Sequence, residues 1–291
     1  MIQAAPLSRT TGFSSITKNI GAMTNKGIEV AVKGYPFKTH DFTWLTSFNI
    51  AFNRNTVTAL TDHLPVTSGI FQYREGMDLQ TYYIRQFAGV DPANGNAVWY
   101  TDDTRTTTTT TYGAVNRVNR YQADPKYFGG FSNTFTYKDI SVTADLYYNF
   151  GNMVNDASWG YYLNDGTSFN NNKYHYIYDN RWTTPGQITD VPKYSNAGVN
   201  AGNSSQFTTR ALYYGDYLRL KNLSIGYDFK DLSLLKTLGI SKLYIYGRGT
   251  NLWTKTYDKR LPFDPEQGVN GTNNLEVIQA KTFTIGLNVG L

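Results

Sequence analysis

Hydrophobic and polar residues alternate with a period of two along several segments of the chain. The alternation is clearest in 42–52, 140–150 and 281–291, where small and polar residues mostly occupy the face opposite the large apolar side chains. Each segment has about the 11 residues that a tilted strand needs to cross the hydrocarbon layer of a membrane. The apolar faces are therefore predicted to meet lipid, and they carry Phe42, Trp44, Phe48, Ile50, Ile140, Val142, Leu146, Phe283, Ile285, Leu287 and Val289.

Four weaker segments bring the number of predicted strands to seven: 26–35, 131–138, 217–229 and 240–253. Short connections alternate with long ones, at 36–41, 138–139 and 230–239 against 54–130, 151–216 and 254–278. This asymmetry is typical of an antiparallel transmembrane β-barrel, in which short periplasmic turns alternate with long extracellular loops. The pattern thus predicts an all-β fold that forms part of such a barrel.

In two strands the pattern alone does not decide which face meets lipid. In 217–229, Leu218 and Leu220 alternate out of step with Leu223, which either a bulge or a loop-side extension would explain. In 240–253 no face is clearly apolar, although Arg248 on the inner side would turn Ile245 toward lipid.

A soluble β-sandwich is the alternative, because its strands also alternate apolar and polar residues. Sandwich strands are usually about five or six residues long, and connections as long as these are rare in globular domains. Seven strands cannot close a wide barrel, and unpaired strand edges in lipid are costly. We therefore expect a partial chain, whose missing strands come from the parent polypeptide, a split chain or a neighbouring subunit. Residues 1–25 are expected to be the extracellular loop end of a preceding hairpin, and 26–291 the barrel part.

Composition narrows the functional classes. The chain has 24 Tyr and 16 Phe, only 17% charged residues and no Cys, which excludes a disulfide framework and a thiol nucleophile. Its net charge of +5 is spread along the chain without a dense basic run, so nucleic acid is a poor candidate for a partner.

The sequence carries no pattern typical of catalysis. His40, His63 and His175 lack the spacing of a metal site. The acidic groups Asp102-Asp103 and Asp264/Glu266 are expected to be solvated loop charges rather than a catalytic pair. We therefore expect neither an enzyme, nor a metal, nor a cofactor.

Short motifs occur in a fixed order along nearly the whole chain. Residues 19–29 are NIGAMTNKGIE, 89–95 are GVDPANG, and 215–222 are GDYLRLKN. The segment 124–131 (DPKYFGGF) precedes a Tyr-Lys pair, and Asp264-Pro-Glu266 lies in the last long connection. Each motif alone is weak, but the ordered set resembles the SusC/RagA family of TonB-linked outer-membrane proteins.

The resemblance implies an integral outer-membrane location and a barrel of about 22 strands, of which this chain supplies about seven. It also implies an N-terminal plug and a TonB-contacting segment, both absent from this sequence, and a SusD-like surface lipoprotein that acts as a lid. Such proteins import oligosaccharides or, in some cases, peptides. A dimer of two barrel–lid pairs is a further expectation. A passive porin-like barrel and a soluble surface carbohydrate-binding β-protein are the alternatives.

Aromatic residues in the long loops are the candidates for ligand contact, because sugar rings stack on aromatic faces and hydroxyls need polar partners. The alternative is that these rings pack the loops together or meet the lid. Arg219 and Lys221 are expected to pair across the lumen with acids from strands outside this chain. The candidate ligand contacts are Tyr82, Tyr83, Trp99, Tyr100, Asp102, Trp159, Tyr161 and Trp182.

Overall fold

The computed structural model describes residues 2–19, 21–166, 170–195, 207–229, 235, 239–266 and 271–291. No helix in these ranges is long and apolar enough to cross a membrane. The helical elements are α1 (Trp159–Tyr162), α2 (His175–Asn180) and four single 3-10 turns at Arg9–Thr11, Thr61–His63, Tyr112–Ala114 and Thr209–Ala211. The strands are β1 (Ile2–Pro6), β2 (Ser15–Asn19), β3 (Gly21–Lys38), β4 (Phe42–Leu60), β5 (Val66–Ser68), β6 (Phe71–Tyr73), β7 (Thr81–Ile84), β8 (Phe87–Val90), β9 (Ala97–Tyr100), β10 (Thr108–Thr109), β11 (Val118–Gln122), β12 (Tyr127–Tyr137), β13 (Ile140–Phe150), β14 (Met153–Asp156), β15 (Leu212–Tyr214), β16 (Tyr217–Asp228), β17 (Lys242–Thr256), β18 (Thr272–Asn273) and β19 (Thr282–Gly290).

The largest sheet has seven antiparallel strands in the order β3–β4–β12–β13–β16–β17–β19. These are the seven strands that the alternation predicts, and they pair in the order in which they occur along the chain. The prediction of an all-β, antiparallel wall is confirmed. The last short connection, 230–239, lies largely outside the described residues.

The strand register gathers the large apolar side chains on one face of this sheet. Phe48 lies opposite Val32 and Phe131, and Phe131 lies opposite Leu146. All eleven residues predicted to meet lipid share this face. It points outward, and the side chain of Ile285 is 87% exposed. Soluble proteins rarely leave so wide an apolar surface uncovered. Contact of each of these residues with lipid stays a prediction.

The opposite face carries a row of polar side chains that bond across strands. Ser132 and Asn222 both approach the carboxylate of Asp145, at 2.6 Å and 3.3 Å. Thr250 donates to the side-chain oxygen of Asn222 at 3.2 Å. This face is therefore suited to a water-filled lumen, as the alternation predicts.

A bulge in β16 explains why its apolar residues change step in the sequence. Lys221 has no partner in the register between β16 and β13, because Asn222 pairs with Asp145 and Leu220 pairs with Leu146. The extra residue brings Leu218 and Leu220 onto the same face as Leu223. Of the two explanations that the sequence leaves open, the bulge is the one found.

The first two wall strands are longer than the sequence predicts. β3 begins at Gly21 instead of 26, and β4 continues to Leu60 instead of ending near 52. The side chains of Asn25 and Asn55 bond across the pair at 2.6 Å, and Asn55 also accepts the backbone N–H of Leu79 at 3.0 Å. The following loop thus supplies a hydrogen-bond partner to the end of β4. Its contacts stabilise β3 and β4 beyond the length that a membrane requires.

The long loops fold into small sheets and contain the buried cores of the molecule. One four-stranded sheet (β11–β7–β6–β5) and two three-stranded sheets (β10–β9–β8 and β15–β14–β18) form between Val66 and Asn273. Three clusters of buried apolar residues lie there, around Trp159, Tyr82 and Trp99. The loops therefore form an ordered cap at one end of the wall.

An ion-pair cluster fastens the last loop to the wall. Arg219, whose side chain is 1% exposed, bonds to Asp264 and lies 3.2 Å from Glu266. Lys221 approaches the other carboxylate oxygen of Glu266 at 2.5 Å. Two expectations are therefore corrected. The partners of Arg219 and Lys221 come from this chain, and Asp264 and Glu266 are not free solvated charges, because the loop folds back over β16.

Arginine substitutions on the two faces of the wall, in β4 and β19, test which face meets lipid. We expect Phe48→Arg and Ile285→Arg to lower the free energy of unfolding by about 2–4 kcal/mol, because a cation near the midplane loses its hydration. Ser47→Arg, one position away on the inner face, is the matched control and should cost less. The measurement is unfolding of the full-length receptor in bilayers; equal penalties at Phe48 and Ser47 would contradict the assigned faces.

Removal of Arg219 tests the ion-pair cluster. Arg219→Ala should destabilise the protein by about 3 kcal/mol, because it leaves Asp264 without a cation in a mostly buried place. Arg248 lies on β17, on the same inner face of the wall as Arg219. Arg248→Ala should lower the free energy of unfolding by less than about 1 kcal/mol, which is the size of an exposed charge contact.

Thermal unfolding measures how much stability Arg219→Ala loses. Protease cleavage within 257–281 measures whether the last loop comes away from the wall. If Arg219→Ala keeps full stability and its loop is not cleaved, the ion-pair cluster does not fasten the loop to the wall. A double variant, Arg219→Ala with Asp264→Ala, should recover part of the loss, since no carboxylate then remains unpaired.

Candidate functional site

Two of the candidate rings are enclosed in the loop cores. Tyr82 packs with Ile70 and Leu212, and its hydroxyl donates to the carbonyl oxygen of Gly271 at 2.6 Å. Trp99 makes edge contacts with Phe87 and Tyr112 at 5.2 Å and 5.0 Å between ring centres. Both side chains are fully buried, so in this structure they hold the loops together and offer no face to a ligand.

Trp182 joins two loops that belong to different hairpins. Its indole Nε1 donates to the carbonyl oxygen of Pro92 at 3.1 Å, and its ring lies where a Cβ on Gly95 would be, at 2.4 Å. Gly95 also has φ +73°, a conformation that side chains other than Gly rarely adopt. The GVDPANG motif is therefore a turn built to receive Trp182.

The remaining candidates differ in how much surface they present. Tyr161 is 54% exposed, and Tyr83 and Tyr100 are partly exposed beneath Arg117 and Arg105 respectively. Asp102 accepts the backbone N–H of Thr104 at 2.9 Å, which stabilises a turn. The structure brings these residues to separate parts of the cap rather than to one site.

A first cleft of about 770 Å³ opens where β3 and β4 meet the loops. Burial, followed by the charge of Asp124, raises the pKa of Asp78 to about 6, and burial also raises the pKa of Asp124. Asp78 therefore takes up a proton at a higher pH than an ordinary aspartate does, because burial and the neighbouring Asp124 disfavour its charge. Cationic side chains line the cleft around Asp78, namely Lys26, Arg54, Arg120 and Lys126.

A second cavity, of about 600 Å³, lies in the loop cap between α2 and the segment that precedes β15. Trp159, one of the candidates, is buried at its wall. Arg210 also lines this cavity, with its guanidinium carbon 4.9 Å from the ring centre of Phe87 and 5.0 Å from that of Trp159. The cavity thus combines aromatic walls with a single buried cation.

Two other charged groups at the second cavity, Asp190 and Arg260, already have partners. Asp190 accepts a hydrogen bond from the Tyr176 hydroxyl at 2.6 Å, and burial together with this bond raises the pKa of Tyr176 to about 12. Arg260 binds Asp258 through two nitrogens, at 2.9 Å and 3.1 Å. Among the described residues, the side chain of Arg210 has no ion pair and its Nη1 has no hydrogen-bond partner, although Asp165 and Asp190 are near enough to favour its charge.

Sequence reasoning does not identify Arg210, Phe87 or Tyr213 as members of a site. They are separated along the chain by loops that meet only in the fold, and Thr208-Thr-Arg210-Ala carries no recognisable motif. The only available signal was the density of aromatic residues near Trp159.

His40 and His63 lie in turns and His175 is the first residue of α2, each beside an acidic side chain. His40 pairs with Asp41, His63 with Glu75, and His175 with Asp179. In the part of the chain that the structure describes, no group of three or more potential metal ligands occurs.

Known sequences that are similar to the chain are TonB-dependent receptors. It is 26% identical to TonB-dependent receptor P39 of Formosa agariphila, over 99% of this chain and 32% of that receptor. Identity to receptor P3 of the same organism is 28%, over 98% and 30% respectively. Identity to SusC of Bacteroides thetaiotaomicron is 26%, over 96% and 28%. No protein-family profile matches the chain.

Solved structures give the same assignment. The RagAB peptide importer in its open-open state matches with a TM-score of 0.84 at 28% identity, over 100% of this chain and 31% of the matched chain. The closed-closed state gives 0.84 at 29% identity, over 99% and 32%. The expectation of a role other than catalysis is confirmed, since these relatives are receptors and importers.

The chain spans about a third of the length of the relatives that it matches. Its seven-stranded wall and its loop cap align over the whole chain with the corresponding part of those barrels. The chain is thus a fragment of SusC/RagA type, and its fold matches that of the TonB-dependent receptor β-barrel.

Proposed function

We propose that the chain is part of an outer-membrane importer that takes up oligosaccharides or peptides with energy delivered through TonB. The observation that carries the proposal is the match to the RagAB peptide importer over 100% of the chain at a TM-score of 0.84. The outward apolar face and the polar inner face support the membrane location, because a barrel wall needs both.

A SusD-like surface lipoprotein is the proposed partner. The names of the relatives, SusC and RagAB, support this pairing. The loop cap also leaves several large rings uncovered, including Tyr161, Tyr178 and Tyr194. Aromatic residues are enriched at protein interfaces, so these rings suit contact with a lid that closes over the loops.

Ligand contact by Tyr83, Tyr100 and Tyr161 stays a proposal. Their rings are partly exposed, and each can stack on a sugar or lie against a peptide side chain. Buried Tyr82, Trp99 and Trp159 would act indirectly, because they fix the loops that carry the exposed rings.

Uptake by intact cells tests the proposal. Cells that make the full-length receptor should accumulate fluorescent oligosaccharides or peptides, and cells without its gene should not. A protonophore, which removes the energy that TonB transmits, should reduce uptake to the level of the deletion strain. Equal binding at the surface with and without the protonophore serves as the control for ligand access.

Two outcomes would contradict the proposal. Uptake that continues undiminished in the protonophore would indicate a passive porin-like barrel. Recovery of the receptor in the soluble fraction without detergent, with uptake unchanged in the deletion strain, would indicate a soluble surface binding protein.

A further inference from the structure

We propose that the cavity around Arg210 binds a carboxylate carried on an apolar body, as at the C-terminus of a peptide that ends in a large apolar residue. The inference rests on the proposed function and narrows its substrate class. It is carried by the state of Arg210, the chemistry of the cavity wall and the partners of the neighbouring polar groups.

Arg210 is a buried cation that no described carboxylate meets at ion-pair distance, although Asp165 and Asp190 act on it from farther away. Its side chain is 9% exposed, and its Nη1 atom is buried with no hydrogen-bond partner. Guanidinium groups stay protonated in proteins, and an unpaired buried charge is strongly destabilising. A group from outside the described residues that accepts hydrogen bonds from Nη1 would relieve this cost.

Two other arginines, one buried and one half-exposed, each bind a carboxylate of this chain. Buried Arg219 is met by Asp264 and Glu266. Arg260 holds Asp258 through two nitrogens. Arg210 has instead two flanking rings, Phe87 and Trp159. Cation–π contacts offset part of a charge, but they leave the hydrogen bonds of Nη1 unmade, and a carboxylate can accept them.

The rest of the cavity wall is mainly apolar and selects the body of the ligand. Its volume of about 600 Å³ lies within the range of small-ligand sites. Apolar side chains that line it are Phe87, Leu163, Ile177, Val191, Leu261 and Pro262.

Three polar groups at the wall, on Asp190, Thr209 and Arg260, already have partners, which disfavours a sugar acid. Asp190 accepts from Tyr176, Thr209 Oγ1 accepts the backbone N–H of Phe87 at 3.0 Å, and Asp258 is held by Arg260. A uronate would bring several hydroxyl groups that need partners of their own. An apolar side chain beside a carboxylate has no such need.

The test is calorimetric titration of the full-length receptor in detergent with glycyl-glycyl-phenylalanine and with its C-terminal amide. We expect the amide to bind at least about tenfold more weakly, since it loses the charge-assisted bond to Arg210. Arg210→Gln should weaken binding of the acid to the level of the amide and leave the amide unchanged. Arg181→Gln, which removes a cation stacked on the exposed Tyr178 ring of the same loop, is the matched control and should bind both as the wild type does.

Each contrary result is distinct. Equal affinities of acid and amide for the wild-type receptor would overturn the proposal, whatever the variants do. Loss of both ligands in Arg210→Gln, with an unchanged melting temperature, would assign Arg210 a role in shaping the cavity. Binding of a glucuronate trisaccharide in place of either peptide would overturn the peptide assignment.

If Arg210→Gln does not fold, Arg210→Lys keeps the charge but loses the two-nitrogen geometry, and it should discriminate acid from amide less than the wild type does. A failure of acid–amide discrimination combined with protonophore-sensitive uptake would remove this inference and leave the proposed importer intact.

Discussion

The wall depends on one constraint: a strand inside lipid has no water to bond its backbone, so every amide and carbonyl must find a partner on a neighbouring strand. An antiparallel ladder meets this need, and its geometry then sends alternate side chains to opposite faces. The row from Val32 through Phe48 and Phe131 to Leu146 follows from that rule, as does the polar row that contains Asp145. The apolar surface lies outside because the surrounding medium, and not a protein core, receives it.

The cores that a soluble protein would place between its sheets lie instead in the loops of this chain. The clusters around Tyr82, Trp99 and Trp159 order long segments that would otherwise be too exposed to hold a defined shape. The clasp of Arg219 on Asp264 ties one of these segments to the wall. Rigid loops above a sheet are the arrangement that lets a cavity such as the one around Arg210 keep a buried charge in place.

The wall could be predicted from the sequence because each of its strands has two different surroundings, and a period of two records them directly. The bulge at Lys221 could not, since alternation shows that the faces change but not which ladder bonds are skipped. The site was harder. Composition reveals that aromatic residues are present in a loop, but only the fold determines that Trp99 is covered and Tyr161 is not. The partner of Asp264 cannot be read from the sequence, because its cation lies 45 residues earlier in the chain.

The contact of Trp182 with the Gly95 turn has a consequence for how such loops diversify. The ring fills the space beside a residue that cannot carry a side chain, so the lengths of the two loops are matched to each other. An insertion in one loop would move the indole out of its seat unless the other changed as well. Variation that alters ligand choice is therefore expected to arise by coordinated exchange of both loops, or at the tips beyond this junction.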